Sequence, residues 1–261
     1  MTILDRIIAN KIKEVELRMK VFPQTFWEQS PWFEREALSL SQGLKNSPTG
    51  IIAEHKRRSP SLDNINSDLS IHKVAQDYQK AGVTGISVLT DQKYFGGSLE
   101  DLTAARAECQ IPILRKEFII DPYQLFEAKA HGADTILLIA AVLDRERIKQ
   151  LSETAQSIGL EVLLEVHNQE ELNKALMPSL NMIGVNNRNL KTFEVSIENS
   201  MTLAECIPND FVKVSESGIS STAAIKALKP YGYDGFLIGE NFMKSESPGL
   251  AASSFIKTLI Q

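Results

Sequence analysis

A (β/α)8 TIM barrel with extra N-terminal helices is the α/β fold this sequence predicts, on three observations. From Ile51 onward, short apolar runs rich in β-branched residues alternate with amphipathic stretches, eight of each, repeating at roughly 20 to 35 residues as βα units do. The chain has 261 residues, close to the ~250 typical of that barrel. No G-x-G-x-x-G follows the first apolar run, which weakens the alternative of an open, doubly wound sheet binding a dinucleotide.

Taken in order, residues 3–19 read as a helix, because Ile3, Leu4, Ile7, Ile8, Ile12 and Val15 make an apolar stripe at helical spacing. A second short helix is expected over 31–39, then a loop through Gly43, Ser47, Pro48 and Gly50. These lead-in helices should cover one end of the domain. The expected strands are 51–55, 86–89, 113–115, 135–139, 162–166, 182–185, 211–214 and 235–238. Helical patterns fall between and after them at 71–81, 98–108, 123–131, 144–158, 169–176, 197–206, 221–228 and 249–260. Ala81-Gly82, His131-Gly132 and Ile158-Gly159 stand where helix C-caps belong. No Pro/Gly/Ser-rich linker interrupts the pattern, so one domain is expected over 1–261, with a helical extension over 1–50 and the barrel over 51–261.

Composition narrows the function classes. A net charge of −5 offers no general attraction for nucleic acid or an anionic membrane. No apolar run is long enough to span a bilayer, and the amphipathic, charged start does not resemble a signal peptide. Cys109 and Cys206 stand in no metal or redox spacing and read as reduced packing residues of a cytoplasmic protein. The histidines at 55, 72, 131 and 167 form no ligand pattern, so no metal is expected.

The chemistry is expected at the carboxyl ends of the strands, which converge on one mouth in such a barrel. The first strand supplies Glu54 and Lys56 on one face, with His55 on the other. The third ends at Lys116, in register with Leu114, and the fifth at Glu165. The sixth runs into Asn186, Asn187 and Arg188, the seventh into Ser215, Glu216, Ser217 and Gly218, and the eighth into Gly239 and Glu240. Any one of these could be a structural ion pair; a set of them facing one mouth favours acid–base chemistry. A second lysine near Lys116, together with burial, should depress its pKa. Gly218 and Gly239 suit close approach of backbone N–H groups to a phosphate, and equally suit tight turns alone. Arg188 could clamp a carboxylate in bidentate fashion. Arg57 and Arg58 read as solvated neighbours of an inward Lys56. Tyr94 to Ser98 reads as an aromatic wall ending in a helix N-cap.

Longer blocks carry a resemblance over the whole length: IIAEHKRRSPS at 51–61, DQKYFGGSLEDL at 91–102, PILRKEFIIDPYQ at 112–124, ADTILLIAAVL at 133–143, LEVLLEVHNQEEL at 160–172, IGVNNRNLKTFEV at 183–195, VSESGI at 214–219 and FLIGENFM at 236–243. In these the chain resembles the indole-3-glycerol phosphate synthases. The resemblance implies a cofactor-free ring closure of 1-(2-carboxyphenylamino)-1-deoxyribulose 5-phosphate, with loss of CO2 and water. It implies Lys116 as the general acid at the ketone oxygen and Glu165 in the proton transfers of dehydration. Asn186 would position the substrate. Lys56 would engage the substrate carboxylate or act as the second acid, the division between the lysines staying open. Glu54 would orient Lys56, and Ser217, Ser59 and Arg188 would contact substrate. Gly218, Gly239 and Glu240 would hold the phosphate, and Phe95, Phe118, Leu137 and Leu190 would wall the aromatic ring. The expected partner is this small phosphorylated substrate, with neither nucleic acid nor membrane, in a cytoplasmic monomer with at most weak association with other tryptophan-pathway enzymes. Two departures stand out: Leu62-Asp63 where relatives often carry Lys-Gly, and Asn189 where Asp is common. A phosphate-binding barrel isomerase using Cys and Asp is disfavoured because neither cysteine stands at a strand end. A non-catalytic scaffold barrel is disfavoured because Lys116 and Glu165 are both present.

Overall fold

Eight parallel strands pair in sequence order, β1 with β2 through to β8, and β8 closes on β1. The computed structural model describes residues 2–189, 192 and 194–261. The strands are β1 (Ile51–His55), β2 (Gly85–Leu89), β3 (Ile113–Lys116), β4 (Thr135–Ile139), β5 (Glu161–Val166), β6 (Met182–Asn186), β7 (Val212–Glu216) and β8 (Tyr233–Ile238). They follow the expected runs to within about two residues, the ordinary uncertainty of element ends. Period-2 alternation sorts each strand into two cores. Ile52, Leu114, Leu137, Leu163, Met182, Val212, Val214 and Leu237 fill the barrel interior. Ile51, Ala53, Ile86, Val88, Ile136, Leu138, Val162 and Leu164 pack outward against the helices.

The helices are α1 (Ile3–Val21), α2 (Gln24–Trp27), α3 (Leu40–Asn46), α4 (Ile71–Ala81), α5 (Gln92–Phe95), α6 (Leu99–Glu108), α7 (Tyr123–Ala130), α8 (Arg145–Ser157), α9 (Gln169–Ala175), α10 (Glu198–Ala204), α11 (Thr222–Leu228), α12 (Glu240–Met243) and α13 (Pro248–Ile260). Side-chain N-caps start several of them, Ser98 on α6, Asp144 on α8 and Asn168 on α9. Gly82, Gly132 and Gly159 take left-handed φ of 85°, 85° and 78°, as the dipeptide reading expected.

The lead-in departs from expectation. Residues 31–39 form turns and extended chain, and the helix lies instead at α3, capped by Ser39, with Gly43 inside it. Gly43 was read as a breaker, but a side chain there would meet Thr84 Cγ2 at 3.3 Å, so its smallness serves packing. Leu40 and Leu44 of α3 enter the barrel-interior core and plug it at the strands' amino ends. At the other end, α1 lies across the mouth. Cys109 is buried as expected, whereas Cys206 is exposed and packs nothing into the core. No helix among the described residues is long and apolar enough to cross a membrane.

Candidate active site

The carboxyl ends of the strands surround a cavity of about 450 Å³. Residues 52, 114, 163 and 214 fill the barrel interior, so by strand alternation Glu54, Lys116, Glu165 and Glu216 stack directly above them at the mouth. His55 is turned away and buried, as alternation requires.

Two lysines sit among three carboxylates. Lys56 Nζ lies 2.7 Å from Glu54 Oε1. Lys116 Nζ donates to Glu165 Oε2 at 3.0 Å and also to Glu216 Oε2. This corrects the expectation that Lys116 is a depressed lysine. Burial does oppose its charge, but Glu216, Glu165 and Glu54 outweigh burial and hold it above the ordinary lysine range. Lys56, the expected repelling neighbour, is itself matched by Glu54. Burial also opposes ionisation of Glu165, yet Lys116 and His167 bring it down to about 2. For Glu216 burial wins, helped by Glu165 and Glu54 against the pull of Lys116, and its carboxyl rises to about 7. Near neutral pH the floor of the cavity therefore holds a charged lysine against a glutamate whose carboxyl takes up a proton far more readily than an ordinary one. Glu216 was visible at the seventh strand's end but received no role in the sequence reading. Room for it comes from Gly184 on β6, where a Cβ would stand 2.2 Å from Glu216 Oε1.

Fourteen of the fifteen expected site residues line this cavity: Glu54, Lys56, Ser59, Phe95, Lys116, Phe118, Leu137, Glu165, Asn186, Arg188, Ser217, Gly218, Gly239 and Glu240. Leu190 lies outside the described residues. Phe95 and Phe118 face each other with ring centroids 6.0 Å apart and form one apolar wall with Leu137. Tyr94 is not part of it; its hydroxyl meets Asn10 of α1. Asn186 Oδ1 accepts from the Arg188 N–H at 2.9 Å, and its side chain helps hold the Glu165 carboxyl low. Opposite the aromatic wall, Ser217 and Gly218 take consecutive left-handed φ of 65° and 76°. Successive residues in this conformation turn backbone N–H groups toward one concavity. The first turn of α12, at Glu240 and Asn241, adds N–H groups that have no acceptor within the helix.

The loop after β1 is more ordered than a solvated charge run. Arg57 donates to Asp101 at 2.8 Å and to Gly96 O at 2.9 Å, and Arg58 to Gln92 O at 2.7 Å. Both arginines thus pin the loop to the β2–α6 connection, correcting the reading of them as solvated. Leu62 forms a small antiparallel bridge with Ser59 through backbone bonds of 2.9 and 3.1 Å, which need no particular side chain at 62.

The sequence reading missed a second, buried charge cluster, directly behind the first. Lys11 of α1, 1% exposed, reaches Glu14 at 2.9 Å, Asp91 at 3.1 Å and Glu117 at 3.1 Å. Arg115 continues the chain of charges to Glu127 at 3.2 Å, and Arg18 of α1 returns to Glu127 at 3.0 Å. Its signal was available: Lys11 falls midway between Ile7 and Val15 on the buried stripe, where an apolar residue would be expected. Through this dock Ile3, Leu4 and Ile7 become part of the cavity wall, so α1 belongs to the site and does not merely cover one end. Among the described residues, no group of three His, Cys, Asp or Glu side chains could hold a metal ion.

The profile of a protein family described as indole-3-glycerol phosphate synthase matches residues 4–255. The chain is 46% identical over 257 residues to the indole-3-glycerol phosphate synthase of Bacteroides thetaiotaomicron, covering 98% of each chain. It is 42% identical over 253 residues to that of a Polaromonas species, covering 95% of this chain and 96% of the relative. Among solved structures, 3-hexulose-6-phosphate synthase from Salmonella typhimurium superposes with a TM-score of 0.63 at 16% identity, over 81% of this chain and 99% of that one, a likeness of fold alone.

Proposed function

Because this chain belongs to the indole-3-glycerol phosphate synthase family, we propose how its residues divide that family's reaction between them. The activity is that of a carboxy-lyase of tryptophan biosynthesis. It closes the ring of 1-(2-carboxyphenylamino)-1-deoxyribulose 5-phosphate and releases CO2 and water. The substrate carries a carboxylate, a ketone, a leaving hydroxyl and a phosphate. The cavity offers a matching polar floor, one apolar wall and a rim of backbone N–H groups.

The observation that carries the assignment is Lys116, held charged between Glu165 and Glu216 at the cavity floor. An ammonium fixed by two carboxylates is a positioned proton donor. As the aromatic carbon attacks the ketone, Lys116 gives its proton to the developing alkoxide, a contribution typically worth about 10² to 10⁴ in rate. Glu216, its carboxyl raised to about 7, lies in direct contact to return a proton to Lys116. Glu165 stays ionised and serves as base in the dehydration, with Asn186 aligning it. Lys56, paired only with Glu54 among the described contacts, is free on its remaining hydrogens to meet the substrate carboxylate or the leaving hydroxyl. Arg188 and Ser59 contact the substrate from the rim. The phosphate sits on the N–H groups of Gly218, Gly239 and Glu240 beside the Ser217 hydroxyl. The anthranilate ring lies against Phe95, Phe118 and Leu137. We further read residues 1–261 as one domain, since the extension and the barrel share a cavity wall, and propose that it acts as a cytoplasmic monomer; sedimentation equilibrium tests the monomer.

The test of the chemistry is to add the carboxyphenylamino-deoxyribulose phosphate and follow indole fluorescence in wild type and Lys116→Ala. Growth in wild type and a loss of at least about a hundredfold in the variant are expected. Equal rates in both would remove Lys116 from the acid role.

A further inference from the structure

Glu165 has a second partner that the reaction as derived above does not use. While its Oε2 accepts from Lys116, its Oε1 faces His167 Nε2 at 3.4 Å. His167 leaves β5 on the same face as Glu165, and its side chain is 10% exposed. Its other nitrogen, Nδ1, lies 3.2 Å from Glu171 Oε2, and the same oxygen accepts the His167 backbone N–H at 2.8 Å. Glu171 is itself fixed, Asn168 Nδ2 donating to its second oxygen at 2.9 Å. Asn199 then ties the imidazole's backbone to the next strand, donating to His167 O at 3.1 Å and to Asn186 O at 2.9 Å. The result is a buried line of carboxylate, imidazole, carboxylate and ammonium running from Glu171 to Lys116.

We propose that His167, held by Glu171, is a positioning residue that keeps Glu165 ionised and aimed at Lys116 throughout the catalytic cycle. The reasoning is one of charge and rests on the reading of Glu165 and Lys116 given above. When the Lys116 N–H bond breaks and the ketone oxygen gains the proton, Glu165 and Glu216 lose the cation they share. Two buried carboxylates left together would drive one to take up a proton. Glu216 is already disposed to do so; Glu165 must stay free to act as base. A charged imidazole on the opposite oxygen of Glu165 replaces the vanished cation, so Glu165 stays ionised while Glu216 holds the proton that is then returned to Lys116. The groups facing the imidazole are Glu165 of β5, Glu171 of α9 and Glu216 of β7, with Asn199 of α10 the neutral neighbour. Burial opposes the imidazolium, but hydrogen bonding to Glu171 and the charges of Glu165, Glu171 and Glu216 raise the ring above the ordinary histidine range. Its charge therefore persists to higher pH than that of an ordinary histidine and is lost as pH rises past that raised value.

The experiment compares kcat against pH in wild type, His167→Gln and Glu171→Gln, alongside an NMR titration of the histidine rings in the intact chain. His167→Gln keeps hydrogen-bonding groups and removes the charge. The acidic limb of its profile should move up by about one pH unit, a tenfold loss at a pH below the limb, with KM changed less than kcat. Glu171→Gln should move the limb the same way and lower the midpoint of the His167 ring. An unmoved limb in both variants, or a His167 ring titrating below 6.5 in wild type, overturns the proposal. Should His167→Gln fail to fold, Glu171→Gln and the ring titration decide. An inactive wild type would instead overturn the assignment of Lys116 and Glu165, while the ring titration would still report on His167.

Discussion

Replacing Lys11 with methionine isolates what holds α1 against the mouth. Methionine keeps the unbranched stem and its packing while deleting the charge. The ammonium is 1% exposed and lies 2.9 to 3.1 Å from carboxylates of Glu14, Asp91 and Glu117. Glu14 is partly solvated and loses little. Glu117 keeps Thr90, its neighbouring N–H and the more distant Arg115 at 3.8 Å. Asp91, 3% exposed at its side chain, keeps only the Tyr94 N–H among its described partners. Stranding one buried charge costs about 3 to 5 kcal/mol. Released locally, that energy is enough to undock α1 without unfolding the barrel, because the strands close on themselves independently of it. Hydrogen exchange should therefore speed up within α1 while β-strand amides stay protected. KM should rise about tenfold or more as Ile3, Leu4 and Ile7 leave the cavity wall. Adding Asp91→Asn should recover at least half of the loss, since the stranded charge goes too. A Lys11→Met protein within about 0.5 kcal/mol of wild type in urea, with unchanged KM and exchange, would refute this account of the dock.

Other outcomes follow from single contacts. Glu216→Gln should lower kcat by at least about tenfold yet stabilise the free enzyme at pH 8. The raised Glu216 pKa means its contribution is fully present below the unfolded value near 4.5 and is lost as pH rises through about 7, a penalty of order 1 to 3 kcal/mol that glutamine avoids. Urea melts at pH 5 and pH 8 test the sign: the stability gain should appear at pH 8 only. Gly184→Ala would set a methyl 2.2 Å from Glu216 Oε1 and push that carboxylate off Lys116; the expected result is a fall in kcat at nearly constant KM, measured by steady-state kinetics. At Gly218, alanine meets both a left-handed φ of 76° and Val195 Cγ1 at 2.6 Å, so the phosphate rim should distort and KM rise at least tenfold with chemistry in the bound complex little changed.

The barrel was legible because its signal is repeated and local. The strands announce themselves by short apolar runs, and many of the helices by a side-chain N-cap or a C-terminal glycine. The strand-end rule then placed the polar residues without knowledge of any contact. What stayed hidden depends on which charges meet across the barrel. Lys116 read as a repelled lysine because Lys56 is its obvious partner in sequence order, while Glu216 comes from a strand a hundred residues on. The burial of Lys11 was hidden in the same way: one lysine on an apolar stripe looks like a tolerated exception until Asp91 and Glu117 arrive beside it. The α3 error had a different origin. A glycine in a short amphipathic segment reads as a breaker when the Thr84 methyl it packs against is not in view.

The dock of α1 also sets a timetable for synthesis. Arg18 and its partner Glu127 are separated by 109 residues, and Lys11 waits for Glu117 over a similar stretch. At translation rates of about 5 to 20 residues per second, α1 leaves the ribosome roughly 5 to 20 seconds before its acceptors do. Through that interval the helix carries Ile7, Val15 and a lysine destined for burial with nothing to bury them against. This part of the cavity wall is thus made before the residues that seat it.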